Sequence, residues 1–321
     1  MNFRRPLLVV NFGAGSRRRR AGLSLLLDSF ADRFPEGIIL PSLPASSLSP
    51  FFDRYADRDL LAVYGGDGSV HRAAGLFPPS SLPILVLPGG TGNVLARYLG
   101  TPPVFPSPAS LWEELPRAGR LFLRPGMAGL RPFLLMAGAG WDGLAVRLVL
   151  GKSRLGSLAY YLAGLSSLLS RSLPRFSVTL TLEDGREISQ TNVRWCLASR
   201  LPPYLGPFRT PGPDRPDSSL LHLTLVCGGR GNIVSAFAGL LPGAPEFLRP
   251  RSFKVREVVF HPSPGGGEIP FQADGEVLPS VPKVATSRSL LSFLCFRPDT
   301  EKERPTNPES EIDSLQQISG G

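Results

Sequence analysis

The first part of the chain alternates continuous apolar runs with segments of helical spacing. The apolar runs are PLLVVNF (6–12), LLAVYGG (60–66) and PILVLPGG (83–90). Polar stretches with Leu, Val or Phe at helical spacing follow them. Apolar strands that alternate with helices are typical of a parallel sheet covered on both faces. We therefore predict an α/β domain with a parallel sheet over residues 1–122.

The pattern changes near residue 120 to alternating, strand-like segments separated by turn residues. Examples are RFSVTLTL, SLLHLTLVCG and SFKVREVVFHPS, and convincing helical spacing is found only at about 141–170 and 231–241. This predicts a second, mostly antiparallel β-sandwich domain over residues 123–297. Residues 298–321 are polar and Pro-rich, which predicts a mobile tail.

Composition and charge narrow the choice of partner. The chain has 321 residues, 42% of them hydrophobic, and a net charge of +9, which indicates an anionic partner such as a nucleotide or an acidic membrane surface. Cys196, Cys227 and Cys295 are too widely spaced for a disulfide framework or a zinc site, so we expect a cytoplasmic protein with reduced thiols. No nucleic-acid module is visible, and no apolar run reaches the length of a membrane span.

Three glycine-rich turns follow the predicted strands. They are NFGAGS (11–16), GGDGS (65–69) and PGGTGN (88–93). The carboxyl ends of parallel strands lie on one edge of the sheet, and glycine turns that open helices there present backbone N–H groups to phosphate. One such turn is weak evidence, because glycine also serves ordinary tight turns. Three together predict a site for a polyphosphate and its nucleoside.

The pair GGDGS and LPGGTGNVLARYLG resembles the diacylglycerol kinase catalytic-domain family, which includes sphingosine kinases and is related to NAD kinases and phosphofructokinases. AGAGWDGLAV (137–146) and QADGEV (272–277) resemble further segments of that family. The resemblance implies a phosphofructokinase-like first domain that binds ATP and Mg²⁺, and a second domain that binds lipid. The residues that match the family's nucleotide motifs are Asn11, Gly15, Ser16, Gly65, Gly66, Asp67, Gly68, Ser69, Gly90, Thr91, Gly92 and Asn93.

Carboxylates and side-chain donors of these motifs have more than one interpretation. We expect Asp67 to help hold a catalytic Mg²⁺ with the phosphates. Thr91 and Asn93 can bind nucleotide oxygens, cap the following helix, or do both. By resemblance, Asp214 and Asp217 correspond to a structural Mg²⁺ site, although serines follow where the family has glycine and an ordinary polar loop explains them equally well.

Two departures from the family lie next to the GGDGS turn. His71 and Arg72 replace a common Asn-Glu pair, which leaves the arrangement of the metal open. We interpret His71 as a solvated helix residue. Residues 17–20 are four arginines. The pattern fits a solvent-exposed surface and a contact with phosphate or membrane equally well.

The segment FQADGEV supplies the candidate proton acceptor. In a regular strand Asp274 and Glu276 would point to one face, whereas an Asp-Gly β-turn would leave both in solvent. The family resemblance favours Glu276 as the base, with Asp274 orienting it or sharing the role. We predict an ATP-dependent lipid kinase that acts on diacylglycerol at a membrane surface. Another lipid alcohol, a non-catalytic regulator and a homodimer remain open, and the apolar 155–170 segment is assigned to the core rather than to an anchor.

Overall fold

A computed structural model describes most of the chain. The described residues are 2–15, 22–42, 55–74, 82–149, 173–203, 206–213, 215–265 and 267–297. Several predictions concern residues outside these ranges: Ser16, the arginines at 17–20, Asp214, the 155–170 segment and the tail at 298–321. Among the described residues, no helix is both long and apolar enough to cross a membrane.

Helices and strands alternate in the first part of the chain as the sequence predicts. The helices in the described ranges are α1 (Leu23–Arg33), α2 (Asp67–Ala74), α3 (Val94–Tyr98), α4 (Pro108–Glu114), α5 (Trp141–Val149) and α6 (Arg230–Gly239). The strands in the same ranges are β1 (Pro6–Val10), β2 (Ile38–Pro41), β3 (Leu60–Gly65), β4 (Pro83–Pro88), β5 (Gly119–Leu123), β6 (Gly126–Ala128), β7 (Arg131–Phe133), β8 (Met136–Gly140), β9 (Phe176–Leu182), β10 (Glu187–Ser199), β11 (Leu221–Cys227), β12 (Arg251–Pro262), β13 (Phe271–Ala273), β14 (Glu276–Leu278), β15 (Lys283–Thr286) and β16 (Leu291–Cys295).

The first sheet is mostly parallel, with the strand order β2-β1-β3-β4-β16-β5 in the described chain. All of its neighbouring pairs are parallel except β16 with β5, which are antiparallel. Strands β1 and β3 are buried along their whole length. A strand that is buried on both faces has no polar side, which explains why these segments read as continuous apolar runs.

The apolar side chains of the first sheet divide into two cores. On β1, Leu7 and Val9 pack into one cluster, and Leu8 and Val10 pack into the other. Alternation along a strand sends successive side chains to opposite faces, so each face has its own core. The cluster of Leu7 and Val9 also contains Trp195 of β10, so one face of the first sheet shares its core with the second sheet.

The second sheet is antiparallel in all its described pairs. Its order is β14-β13-β8-β10-β11-β12-β15-β6-β7, and β9 pairs with both β10 and β12. The predicted α/β first part followed by a mostly antiparallel part is therefore confirmed.

The chain passes between the two sheets at two described places, which we call the crossings. The first crossing, residues 124–125, joins β5 to β6, and the second, residues 287–290, joins β15 to β16. The apolar segment RLFLRPGMA (120–128) is thus divided between two strands in different sheets. The boundary at residue 122 stays a prediction, but β16, which we placed in the second domain from its sequence, pairs within the first sheet.

Candidate active site

The chain continues from β1 to β2 on one side of β1, and then adds β3 and β4 on the other side, so the order in which strands are added reverses between β1 and β3. In open α/β sheets, ligands bind in the crevice outside the carboxyl ends of the strands at such a reversal. Asn11 follows β1 directly, and the segment from Gly65 to Asp67 joins β3 to α2. Two of the three predicted glycine turns therefore flank the place where the topology itself provides a crevice.

Side-chain and backbone hydrogen bonds join the turns after β1 and β3. The Asn11 amide donates to the Ser69 hydroxyl over 2.9 Å, and the Asn11 backbone N–H donates to the carbonyl of Tyr64 over 2.9 Å. The Asn11 side-chain oxygen in turn accepts from the N–H of Gly13 at 3.0 Å. Asn11 and Ser69, which belong to two of the predicted glycine turns, are therefore in direct contact at the crevice.

The turns after β3 and β4 touch through backbone atoms. A Cβ added at Gly90 would lie 2.5 Å from the Cα of Gly66. The N–H of Gly89 also donates to the carbonyl of Gly65 over 2.8 Å. Gly90 is therefore needed, because the two backbones approach too closely there for a side chain.

Asp67 caps the helix that follows the third turn. Its carboxylate oxygens accept from the backbone N–H groups of Val94 at 3.0 Å and Leu95 at 2.9 Å, at the start of α3. Burial raises the pKa of the Asp67 carboxyl, the two backbone hydrogen bonds oppose that rise, and the negative charge of Asp274 adds to it. Asp67 therefore fastens the second turn to the third.

Asn93 lies at the N-cap position of α3 but does not cap it. Its side-chain oxygen accepts from the N–H of Gly90 at 2.8 Å, and its side-chain amide donates to the carbonyl of Gly90 at 2.7 Å. The backbone of Asn93 is left-handed, with φ 47°. The prediction that Asn93 caps the helix is therefore wrong, because Asp67 supplies that cap from α2. Thr91 and Gly92 are exposed at the tip of the same turn, and Gly15 has a positive φ of 78° at the end of the first turn.

The segment FQADGEV forms a β-hairpin rather than a regular strand. Ala273 of β13 pairs with Glu276 of β14, and the two residues between them, Asp274 and Gly275, have positive φ angles of 47° and 83°. Positive φ at both positions is typical of a type I′ hairpin turn, for which Asp-Gly is a favoured sequence. The expectation that the two acids share a strand face is wrong.

Asp274 is buried within this hairpin turn, with a side chain only 4% exposed. Its carboxylate accepts three backbone hydrogen bonds, from Leu134 at 2.7 Å, Leu135 at 2.9 Å and Met136 at 3.0 Å. Asp274 therefore ties the hairpin to the segment that leads into β8. Neither the solvent position nor a direct role in proton transfer fits this setting, and positioning of the hairpin is the role that the geometry supports.

His71 reaches across from α2 to this hairpin. Its Nδ1 lies 3.3 Å from Oδ2 of Asp274, and its side chain is only 15% exposed. The interpretation of His71 as a solvated helix residue is therefore wrong. The departure from the family at this position provides a contact between α2 and the second sheet.

Glu276 occupies a different environment two residues further on. Its side chain is 43% exposed and forms ion pairs with Arg131 of β7 and, at 3.7 Å, with Arg72 of α2. A Cβ added at Gly68 would lie 3.4 Å from Oε1 of Glu276. The half-exposed carboxylate of Glu276 therefore faces the glycine turn that the sequence assigns to phosphate.

Two residues of the quoted motifs that have no role in the predictions from sequence, Gln272 and Asp142, support the hairpin. The Gln272 side chain donates to the carboxylate of Asp142 and accepts from the N–H of Gly275 at 2.9 Å. Gln272 and Asp142 are both buried. No role was assigned to Asp142 or Arg131 from the sequence. For Arg131 the available signal was its positive charge, because a carboxylate such as Glu276 needs a cationic partner.

The predicted structural metal site does not fit the described side chains. The carboxylate of Asp217 pairs with Arg215 at 2.9 Å. Within the described ranges, no group of three or more His, Cys, Asp or Glu side chains could hold a metal ion. Asp214 lies outside those ranges.

The chain has a two-part fold. A mostly parallel sheet carries the glycine turns, and an antiparallel sheet supplies the carboxylates. Proteins described as diacylglycerol kinases have a similar fold. A crystal structure of a protein assigned as a diacylglycerol kinase from Bacillus anthracis strain Sterne has a TM-score of 0.68 and 21% identity, over 94% of this chain and 98% of that one. A second structure described as a diacylglycerol kinase from the same strain has a TM-score of 0.65 and 21% identity, over 92% and 98% of the two chains.

A family model identifies the first part of the chain more directly. Residues 5–119 match the model of the diacylglycerol kinase catalytic domain, and this match supports a lipid kinase. The family recognised from the sequence is thus confirmed. A comparison with curated proteins found no match.

Proposed function

We propose that the protein is an ATP-dependent lipid kinase that transfers the γ-phosphate to a lipid hydroxyl, with diacylglycerol as the leading acceptor. The observation that carries the proposal is the position of Glu276. A half-exposed carboxylate from the second sheet faces the glycine turn after β3, so a phosphate donor and a proton acceptor meet across one crevice.

In the proposed reaction the acceptor oxygen attacks the γ-phosphorus, and the bond from that phosphorus to the β,γ-bridging oxygen breaks to release ADP. Glu276 accepts the proton of the hydroxyl as the new bond forms. The arginines on either side of Glu276, Arg72 and Arg131, keep the carboxylate oriented toward the crevice. Asp274 acts as a positioning residue, because its oxygens hold the backbone of residues 134–136.

The nucleotide would occupy the crevice with its phosphates along the turn from Gly66 to Ser69 and near Thr91. Asp67 fits a Mg²⁺ that arrives with the phosphates, because a carboxylate oxygen that accepts one backbone hydrogen bond keeps a second lone pair. The ion would neutralise charge on the phosphates. The basic chain, with its net charge of +9, supports peripheral association with an anionic membrane where the lipid is found.

The test is transfer of labelled phosphate from ATP to a panel of lipids in mixed micelles. We expect Glu276→Gln to lower turnover by about a hundredfold to ten-thousandfold, with ATP affinity retained. Glu268→Gln is the matched control, since Glu268 is also half-exposed and pairs with an arginine, Arg147, at 3.3 Å.

The outcome for each lipid decides the acceptor. Phosphorylation of diacylglycerol above sphingoid bases and phosphatidylglycerol would support the leading acceptor. A preference for one of those alcohols would move the assignment within the same reaction. Transfer to no lipid, together with retained ATP binding, would favour a non-catalytic regulator. Full turnover of Glu276→Gln would remove Glu276 from the reaction.

A further inference from the structure

Arg200, the residue directly after β10, is fully buried, and backbone oxygens surround its guanidinium. Its Nε donates to the carbonyl of Arg124 at 2.7 Å, and its Nη2 donates to the carbonyls of Pro216 and Ser218, both at 2.8 Å. Its Nη1 donates to the carbonyl of Leu220. Three carbonyl oxygens of one loop, residues 215–220, thus bind a single guanidinium.

A second arginine extends this arrangement to both crossings between the sheets. Arg124 lies in the first crossing, and its Nε donates to the carbonyl of Asp217 at 2.9 Å. Its Nη1 donates to the carbonyl of Arg288, in the second crossing, at 3.0 Å. The backbone N–H of Arg124 also donates to the carbonyl of Pro216 at 3.0 Å. The 215–220 loop therefore holds the two crossings together through carbonyl oxygens and guanidinium groups.

We propose that the guanidinium of Arg200 is the resident cation of the 215–220 loop and holds the crossings together in place of the divalent metal that the family resemblance implies there. Backbone carbonyls are ligands that divalent cations also use in proteins. A guanidinium offers five N–H donors in a fixed planar fork, so it can satisfy several converging carbonyls at once. In this loop those oxygens already have their partner.

Two further observations agree with this assignment. The side chain of Asp217, the described member of the predicted metal pair, pairs with Arg215. Burial lowers the pKa of Arg200 to about 10, and the charge of Asp217 acts in the opposite direction. Arg200 therefore stays protonated at neutral pH and retains all of its donors.

The first experiment uses the parent protein without nucleotide. Hydrogen exchange of the amides at 217–221 is measured by mass spectrometry in Mg²⁺ and in EDTA. Because the cation is covalently part of the chain, exchange should differ by less than about twofold between the two conditions. Slowing by about tenfold or more in Mg²⁺ would assign the loop to a metal and overturn the proposal.

The second experiment removes the guanidinium. In Arg200→Met we expect exchange at 217–221 and at the crossings to rise on the order of tenfold or more, because the converging carbonyls lose their charged donor. Mg²⁺ should not restore the protection. Arg200→Lys should give an intermediate rise, since an ammonium has three donors in a different geometry.

Arg215→Met is the matched control, because Arg215 is in the same loop but its side chain is about half-exposed and pairs with Asp217. Its exchange should match that of the parent. If Arg200→Met does not fold, Arg200→Lys and the comparison of Mg²⁺ with EDTA still decide the question. Parent-like protection in both Arg200 variants, or protection restored by Mg²⁺ in either, would refute the proposal.

Discussion

Replacing Asp274 by Ala should destabilise the protein far more than replacing Glu276 by Ala, although the two acids are only two residues apart. The Asp274 carboxylate is 4% exposed and accepts from the backbone N–H groups of Leu134, Leu135 and Met136. Glu276 is 43% exposed and pairs with arginines that are themselves partly in solvent. Water can replace the partners of Glu276 but has little access to those of Asp274.

The magnitude for Asp274→Ala follows from the groups left without a partner. Each buried donor that loses its acceptor costs about 1–3 kcal/mol, and there are three of them. The backbone of Asp274 is left-handed at φ 47°, a conformation that Asp adopts more readily than Ala, so the substitution adds a further, smaller cost. Since neighbouring losses are not additive, we expect a decrease of about 4 kcal/mol in the free energy of unfolding.

Urea unfolding of the parent and the two Ala variants measures this difference. Asp274→Asn should fall between the parent and Asp274→Ala, because Asn tolerates the left-handed backbone and keeps one acceptor oxygen. Asp28→Ala, at an exposed position of α1, controls for the loss of one carboxylate. A cost below about 1 kcal/mol for Asp274→Ala would refute the view that this carboxylate holds the hairpin.

Two further predictions concern the crevice. Gly90→Ala should lower stability by about 1–3 kcal/mol and weaken ATP binding in calorimetry, because the new Cβ would lie 2.5 Å from the Cα of Gly66. Gly231→Ala, with open space around its Cβ, is the control and should be neutral or stabilising. The raised pKa of Asp67 means that the folded state holds this proton more tightly than the unfolded state, so the group lowers stability as pH rises from its ordinary value of 3.8 through the raised pKa. Asp67→Asn lacks this titration, and denaturant unfolding across that range should show the parent losing stability relative to the variant; a difference independent of pH would contradict the burial of Asp67.

The sequence predicts strands β1 to β4 of the first sheet well because their signals are local, whereas β16 joins that sheet from the predicted second domain. A strand buried on both faces must be apolar along its length, and the turns after β1, β3 and β4 must be rich in glycine where backbones meet, as at Gly66 and Gly90. Both requirements produce sequence patterns, an apolar run and a glycine-rich turn, that can be recognised within a few residues. The parallel strands and the positions of the glycine turns could therefore be predicted before the structure.

The roles of the carboxylates could not be predicted in the same way, because they depend on distant partners. Asp67 caps a helix that begins 27 residues later, and Asp274 binds backbone groups about 140 residues earlier. Nothing next to either residue in the sequence marks these contacts. The same holds for Arg200, whose residue type alone suggests an exposed side chain, whereas the fold surrounds it with carbonyls.

The position of β16 in the first sheet has a consequence for the order in which the protein can be made. Strand β16 lies between β4 and β5, so it separates two strands that leave the ribosome long before it. Until residues 291–295 emerge, β4 has an unpaired edge and β5 lacks its neighbour in the sheet. The first sheet of the nascent chain therefore stays incomplete until β16 has been made, and a ribosome that stalls before β16 leaves an exposed strand edge that is open to aggregation.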